Sequence, residues 1–131
     1  MSRSGYDDDC SGWELIMYRG AVASATRGRR GQQLLRELLD ALDAMPEKRL
    51  IAHLLESDGE VCALGALGRK RGLDMGKLDP EDAEQCANEF GIAPSLLREI
   101  VYMNDDYGQT PEHSYSLMRK WVESQIKSGA A

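Results

Sequence analysis

Leu34, Leu35, Leu38, Leu39, Leu42 and Met45 recur at the three- and four-residue intervals that line one face of an α-helix. Arg36, Glu37, Asp40 and Asp43 fall mostly on the other side, and Pro46 stops the run because its ring cannot continue a helix. A stripe this rich in leucine must be buried against further elements, so the segment from about 32 to 45 makes a helical bundle the expected architecture. With only two Trp, five Tyr and one Phe in 131 residues, Leu, Ile, Val, Met and Ala must build the core. That length suits one domain and is short for two.

The rest of the chain is punctuated in the same style. Residues 1–12 hold three consecutive Asp and little to bury, and read as a flexible arm. Trp13, Met17, Gly20 or Ala21, and Ser24 then share a helical face, small enough to approach another backbone closely. Arg27-Gly28-Arg29-Arg30-Gly31 ends that helix, with Gly28 and Gly31 free to take positive φ. Residues 49–56 are too short and too continuously apolar to assign to strand or helix, and Ser57-Asp58-Gly59 signals a turn. A buried helix over about 61–71 fits Val61, Leu64 and Leu67 better than a hairpin does, and its glycines imply close packing. Asp79-Pro80-Glu81-Asp82 reads as a helix start capped by Asp79, with the helix running to Phe90 and stopping at Gly91. Another helix covers about 94–103, after which Asn104-Asp105-Asp106 and Gly108 form a loop. Thr110-Pro111-Glu112 opens the last helix, whose inner face carries Tyr115, Met118, Val122 and Ile126 with Trp121 beside them. The expected fold is mainly α: a compact single-domain bundle of five or six helices over 13–127, with a short β-hairpin near 49–64 left open.

Several classes of chemistry find no support. Sixteen Lys and Arg against 22 Asp and Glu give a net charge of −6, which opposes wrapping nucleic acid over the whole surface but permits a local basic patch. No apolar run approaches the roughly 20 residues of a membrane span, and residues 1–12 lack the apolar core of a secretory signal. Cys10, Cys62 and Cys86 are widely spaced and odd in number, which points to free thiols in a reducing cytoplasm. His53 and His113 stand apart from them, with no C-x-x-C or H-E-x-x-H, and Asp7-Asp8-Asp9 lacks the alternation of a calcium loop. No metal and no cofactor is therefore expected. There is no nucleophile elbow, and Cys62 lies in an apolar run where a thiol is inert. Among the many carboxylates nothing selects an acid or base, although a pocket around Glu60 or Asp105 would revive a small enzyme. No catalytic residue is assigned.

Binding chemistry has more to work with. Residues 13–31 carry four Arg against one Glu. Arg27, Arg29 and Arg30 adjoin the start of the leucine-rich helix, whose free N–H groups favour an anion, and Arg19 lies one to two turns earlier. Gly28-Arg29-Arg30-Gly31 has neither the spacing nor the Lys of a Walker loop. A second cluster, Arg69-Lys70-Arg71, would make a cationic patch if it converged with the first; otherwise both cap helix ends. Residues 83–101 match a helix-turn-helix at Ala87, Gly91, Ile92 and Leu97. Its second helix offers one Arg behind Glu81, Asp82, Glu84 and Glu89, a surface that repels phosphate, so a plain αα corner is favoured. Asn104-Asp105, near Tyr102 and Tyr107, is either a functional loop or a simple turn. The candidate binding residues are Arg19, Arg27, Arg29, Arg30, Asn104 and Asp105.

Three stretches carry a resemblance: Arg19-Gly20-Ala21-Val22-Ala23-Ser24-Ala25 with Arg29-Arg30-Gly31-Gln32, the run Gly59-Glu60-Val61-Cys62-Ala63-Leu64-Gly65-Ala66-Leu67, and Asn104-Asp105 followed by Thr110-Pro111-Glu112. Together, over roughly 13–126, they resemble small proteins of unknown function encoded by bacteriophages and prophages of Gram-negative bacteria. The resemblance implies a setting, the host cytoplasm, and transfers no activity or residue role. Small acidic phage products of this size often act by binding. The expectation is thus an accessory or anti-defence protein docking on a host protein, as monomer or homodimer, with nucleic-acid or nucleotide binding through the arginines as the alternative.

Overall fold

The computed structural model describes residues 12–105 and 108–126. The expected arm, apart from Gly12, lies outside the described residues, as do Cys10, Asp106 and Tyr107. Six α-helices and one small sheet follow in order: α1 (Gly12–Arg27), α2 (Arg29–Ala44), β1 (Glu56–Ser57), β2 (Glu60–Val61), α3 (Ala63–Arg71), α4 (Ala83–Phe90), α5 (Pro94–Asp105) and α6 (Pro111–Gln125), with a 3₁₀ turn at Met75–Lys77. This is the mainly helical bundle with a short hairpin that the sequence leads one to expect.

The leucine stripe does what its spacing requires. Leu34, Leu35, Leu38 and Leu42 are fully buried, α2 packing on α3 and α6. Each such burial contributes about 1.5–3 kcal/mol. α5 is the other central element, bounded by α1, α3, α4 and α6. The segment 49–55 is neither strand nor helix. It runs beside β2, with the Ile51 N–H donating to Val61 O at 3.0 Å and the Cys62 N–H to Leu55 O at 3.1 Å. Asp58 and Gly59 turn the antiparallel hairpin with φ of +52° and +82°, the paired left-handed conformation of a two-residue turn.

Four local readings are corrected. Gly28 and Gly31 do not adopt positive φ: Gly28 is the extended N-cap of α2 at φ −70°, and Gly31 lies inside that helix. Packing explains Gly31, because a Cβ there would lie 2.1 Å from Ala25 O. The cap of α4 is Asp82, which accepts from the Gln85 N–H at 3.0 Å. Asp79 instead closes a turn by accepting from the Glu81 N–H at 2.9 Å. Finally, Asn104 and Asp105 are not loop residues but the last two residues of α5, held there by side-chain bonds described below. Thr110, by contrast, caps α6 through the His113 N–H as its motif promises.

Candidate functional site

The six candidate residues divide into two groups that the fold keeps apart in role. Asn104 is 1% exposed and every polar atom of its amide is engaged. Its Oδ1 accepts from the Ala63 N–H at 3.0 Å, closing the start of α3, while Nδ2 donates to Ile51 O and to Asp105 Oδ1, both at 2.9 Å. The Asp105 side chain is fully buried; Oδ1 also accepts from the His53 N–H at 3.1 Å, and Oδ2 lies 3.6 Å from His53 Nδ1. His53 itself is exposed and held at φ +70°. This cluster fastens the irregular 50–55 segment to α5, and offers a partner only the rim of the imidazole.

Arg19 belongs with these internal contacts. Its guanidinium pairs with Glu99, whose side chain is 4% exposed, and thereby supplies a counter-charge to a buried carboxylate on α5. From the preceding residue, the Tyr18 hydroxyl donates to Ser95 O at 3.5 Å. α1 therefore packs against α5 and contacts it at Ser95 and Glu99.

Arg27, Arg29 and Arg30 lie elsewhere, at the joint where α1 becomes α2 across a single residue. All three are exposed, and no ion pair or side-chain hydrogen bond engages Arg29 or Arg30 among the described residues. The joint is pinned from inside by Gln32, whose Nε2 donates to Thr26 O at 2.7 Å and to Gln125 O at 2.9 Å. The Gly28 N-cap has no side-chain bond and the first turn of α2 holds no acid. Beside it is a hollow of about 320 Å³ bordered by Ala25, Gly28, Arg29, Arg30, Ala93 and Leu96. The corner thus combines the cations Arg29 and Arg30, unpaired among the described residues, with helix N–H groups and an apolar recess.

The second basic cluster does not join the first. Arg69 pairs with Glu56 at 2.9 Å, and Arg71 pairs with Glu37 at 2.8 Å and also donates to Phe90 O. Arg69 and Lys70 border a different and larger groove, about 590 Å³, floored by Ala41, Met45, Val61 and Ala66. Its lining charges balance in number, Glu47, Asp58 and Glu60 against Arg49, Arg69 and Lys70, and Glu60 faces Arg49 at 2.7 Å. Nothing in it singles out an acid or base. Among the described residues no group of three or more His, Cys, Asp or Glu could hold a metal, and no helix is long and apolar enough to cross a membrane.

One surface was not readable in advance. The face of α1 shared by Met17, Gly20 and Ser24 points outward, with Ile16 65% and Met17 60% exposed; Val22 and Thr26 are the residues turned inward. The signal was present in the sequence as the weak amphipathicity of α1, which has no wide stripe of large apolar residues. In comparisons with known proteins, no family model, no curated protein and no solved structure matches this chain.

Proposed function

We propose that this protein acts by binding another protein through the α1–α2 corner. The observation that carries the reading is the pair Arg29 and Arg30, exposed and unpaired among the described residues of an acidic chain, beside the recess of Ala25, Ala93 and Leu96. A surface with clustered carboxylates and one apolar side chain to fill the recess is its natural complement. The free N–H groups at the start of α2 add a further preference for anionic groups. In the setting implied by the sequence resemblance, the partner is a host protein and the chain a phage accessory or anti-defence factor of the host cytoplasm.

The test is capture of partners from host lysate, with and without nuclease, by the wild type and by Arg29→Glu/Arg30→Glu. Both residues are exposed, so circular dichroism and melting of the variant should match the wild type. A defined protein that survives nuclease and is lost with the variant is the expected result. Capture unchanged by the double reversal removes the corner from consideration. Recovery of nuclease-sensitive material alone, with affinity falling steeply as salt rises, assigns the arginines to nucleic acid instead.

A further inference from the structure

We propose that the groove walled by the end of α2, the hairpin and α3 binds a small zwitterion with an apolar body, such as a dipeptide of apolar residues. It shares no lining residue with the recess of the α1–α2 corner, and its occupancy is independent of the partner assigned there. At about 590 Å³ it falls within the roughly 300–1,000 Å³ of small-molecule sites. The hollow has a cause in the sequence. Ala41 and Ala44 on α2 and Ala66 on α3 carry side chains that end at Cβ, so the two helices leave a space that Met45 and Val61 border without filling. The floor is therefore apolar, and an apolar body seated on it removes both surfaces from water.

The rim sets the charge of the occupant. Of its six charged residues three are already committed: Arg49 faces Glu60 at 2.7 Å, and Arg69 is held by Glu56 at 2.9 Å and by Gly59 O at 3.2 Å. The other three, Glu47, Asp58 and Lys70, are exposed, and no ion pair or side-chain hydrogen bond engages them among the described residues. Lys70 is the complement of a carboxylate, and Glu47 or Asp58 that of an ammonium group. A plain anion would gain the lysine but meet both acids. A plain cation would gain an acid but meet the lysine, and a neutral molecule would use none of the three. One charge of each sign on an apolar body satisfies rim and floor together, the few polar groups fixing its orientation.

Leu-Leu with free termini is the probe, compared with the same dipeptide acetylated at its amine, amidated at its carboxyl, and blocked at both ends. Amide chemical shifts of Ala41, Val61 and Ala66, followed at low ionic strength where exposed charges are least screened, report occupancy. The free dipeptide should give saturable shifts below about 10 mM, and blocking either end should weaken binding about two- to fivefold. Lys70→Ala should erase the difference between free and amidated carboxyl. Glu47→Gln with Asp58→Asn should erase that between free and acetylated amine, and Asn tolerates the φ of +52° at position 58. Ala44→Trp should block the groove; Ala44 is exposed at its edge, so the variant should melt as the wild type does. No saturable shift with the free dipeptide, equal affinity for it and either singly blocked form, or full binding by Ala44→Trp overturns the proposal. Arg29 and Arg30 are intact in all these variants, so the groove and the corner are read separately.

Discussion

Asn104 shows how much one side chain can hold. A buried carboxamide joins the first N–H of α3 and the carbonyl of Ile51, both far away in sequence, to the carboxylate of neighbouring Asp105. Replacing it by Ala leaves the buried Ala63 N–H without a partner and removes the bond to the half-buried Ile51 O, a loss of about 1–3 kcal/mol. Asn104→Asp keeps the acceptor for Ala63 but turns a second carboxylate against Ile51 O and Asp105, and should be no better. Urea denaturation of both variants checks this; a midpoint within error of the wild type would show that the amide is dispensable. The Asn-Asp pair was conspicuous in the sequence, yet its role was not. Asx residues end helices whether or not they touch anything else, and the contacts that decide the matter come from residues 41 and 53 positions earlier. The same limit applied to Arg19, whose partner Glu99 is 80 residues away.

At the scale of elements, two glycines in neighbouring helices have opposite meanings. Gly31 is needed where α2 passes the last turn of α1, since a Cβ would fall 2.1 Å from Ala25 O, whereas Gly20 faces open space. Gly20→Ala should therefore stabilise the protein by up to about 1 kcal/mol through helix propensity. Gly31→Ala should destabilise it by about 1–3 kcal/mol, the range for overpacking a fixed contact. Thermal melts of the pair decide the point, and a stabilised Gly31→Ala would mean that α1 is not seated as described. Local sequence was a good guide where the determinant is local. Thr110-Pro111 starts α6, Gly91 at φ +72° stops α4, and the leucine periodicity of α2 is realised in burial. It was a poor guide where two rules compete. Asp79 and Asp82 both had the chemistry of a cap, and the turn took the first of them. Residues 49–55 kept an irregular path because their backbone groups bond to β2, to Pro111 and to Asp105 instead of to one another.

For the molecule as a whole, α2 and α6 are tied on the outside by Arg119, which donates to Asp43 Oδ1 at 2.7 Å and to Oδ2 at 3.3 Å. That hydrogen bonding first, with the charges of Arg119 and Lys48 adding to it, holds the Asp43 carboxyl below its ordinary value against an opposing desolvation. A carboxyl more acidic folded than unfolded contributes stability above the unfolded value, near 3.9, and loses it as pH falls through the folded one. Arg119→Met should thus differ from the wild type at neutral pH and converge with it only as pH falls through the lowered Asp43 value, under about pH 4. Because both side chains are well exposed, salt should shrink the difference. A gap that persists to strongly acid pH would instead indicate lost packing by the arginine stem.

The fold class could be read from the helix signals along the chain, clearest at residues 32–45, but which face of α1 points outward could not. α1 has no wide apolar stripe to declare its inner side. Its orientation is settled by Val22 and Thr26 packing inward, and by Tyr18 and Arg19 reaching α5.

Two helices of 16 residues meeting across Gly28 have a thermodynamic consequence for whatever they grip. A binding loop must surrender backbone freedom when it closes on a partner, at about 1–2 kcal/mol per residue fixed. Here the backbone on both sides of Arg29 and Arg30 is already committed to helix, and Gln32 ties the bend to the end of α6. If a partner binds at this corner as proposed, no backbone there has to be ordered, and the local entropic cost reduces to the arginine rotamers beside the general loss of translation and rotation.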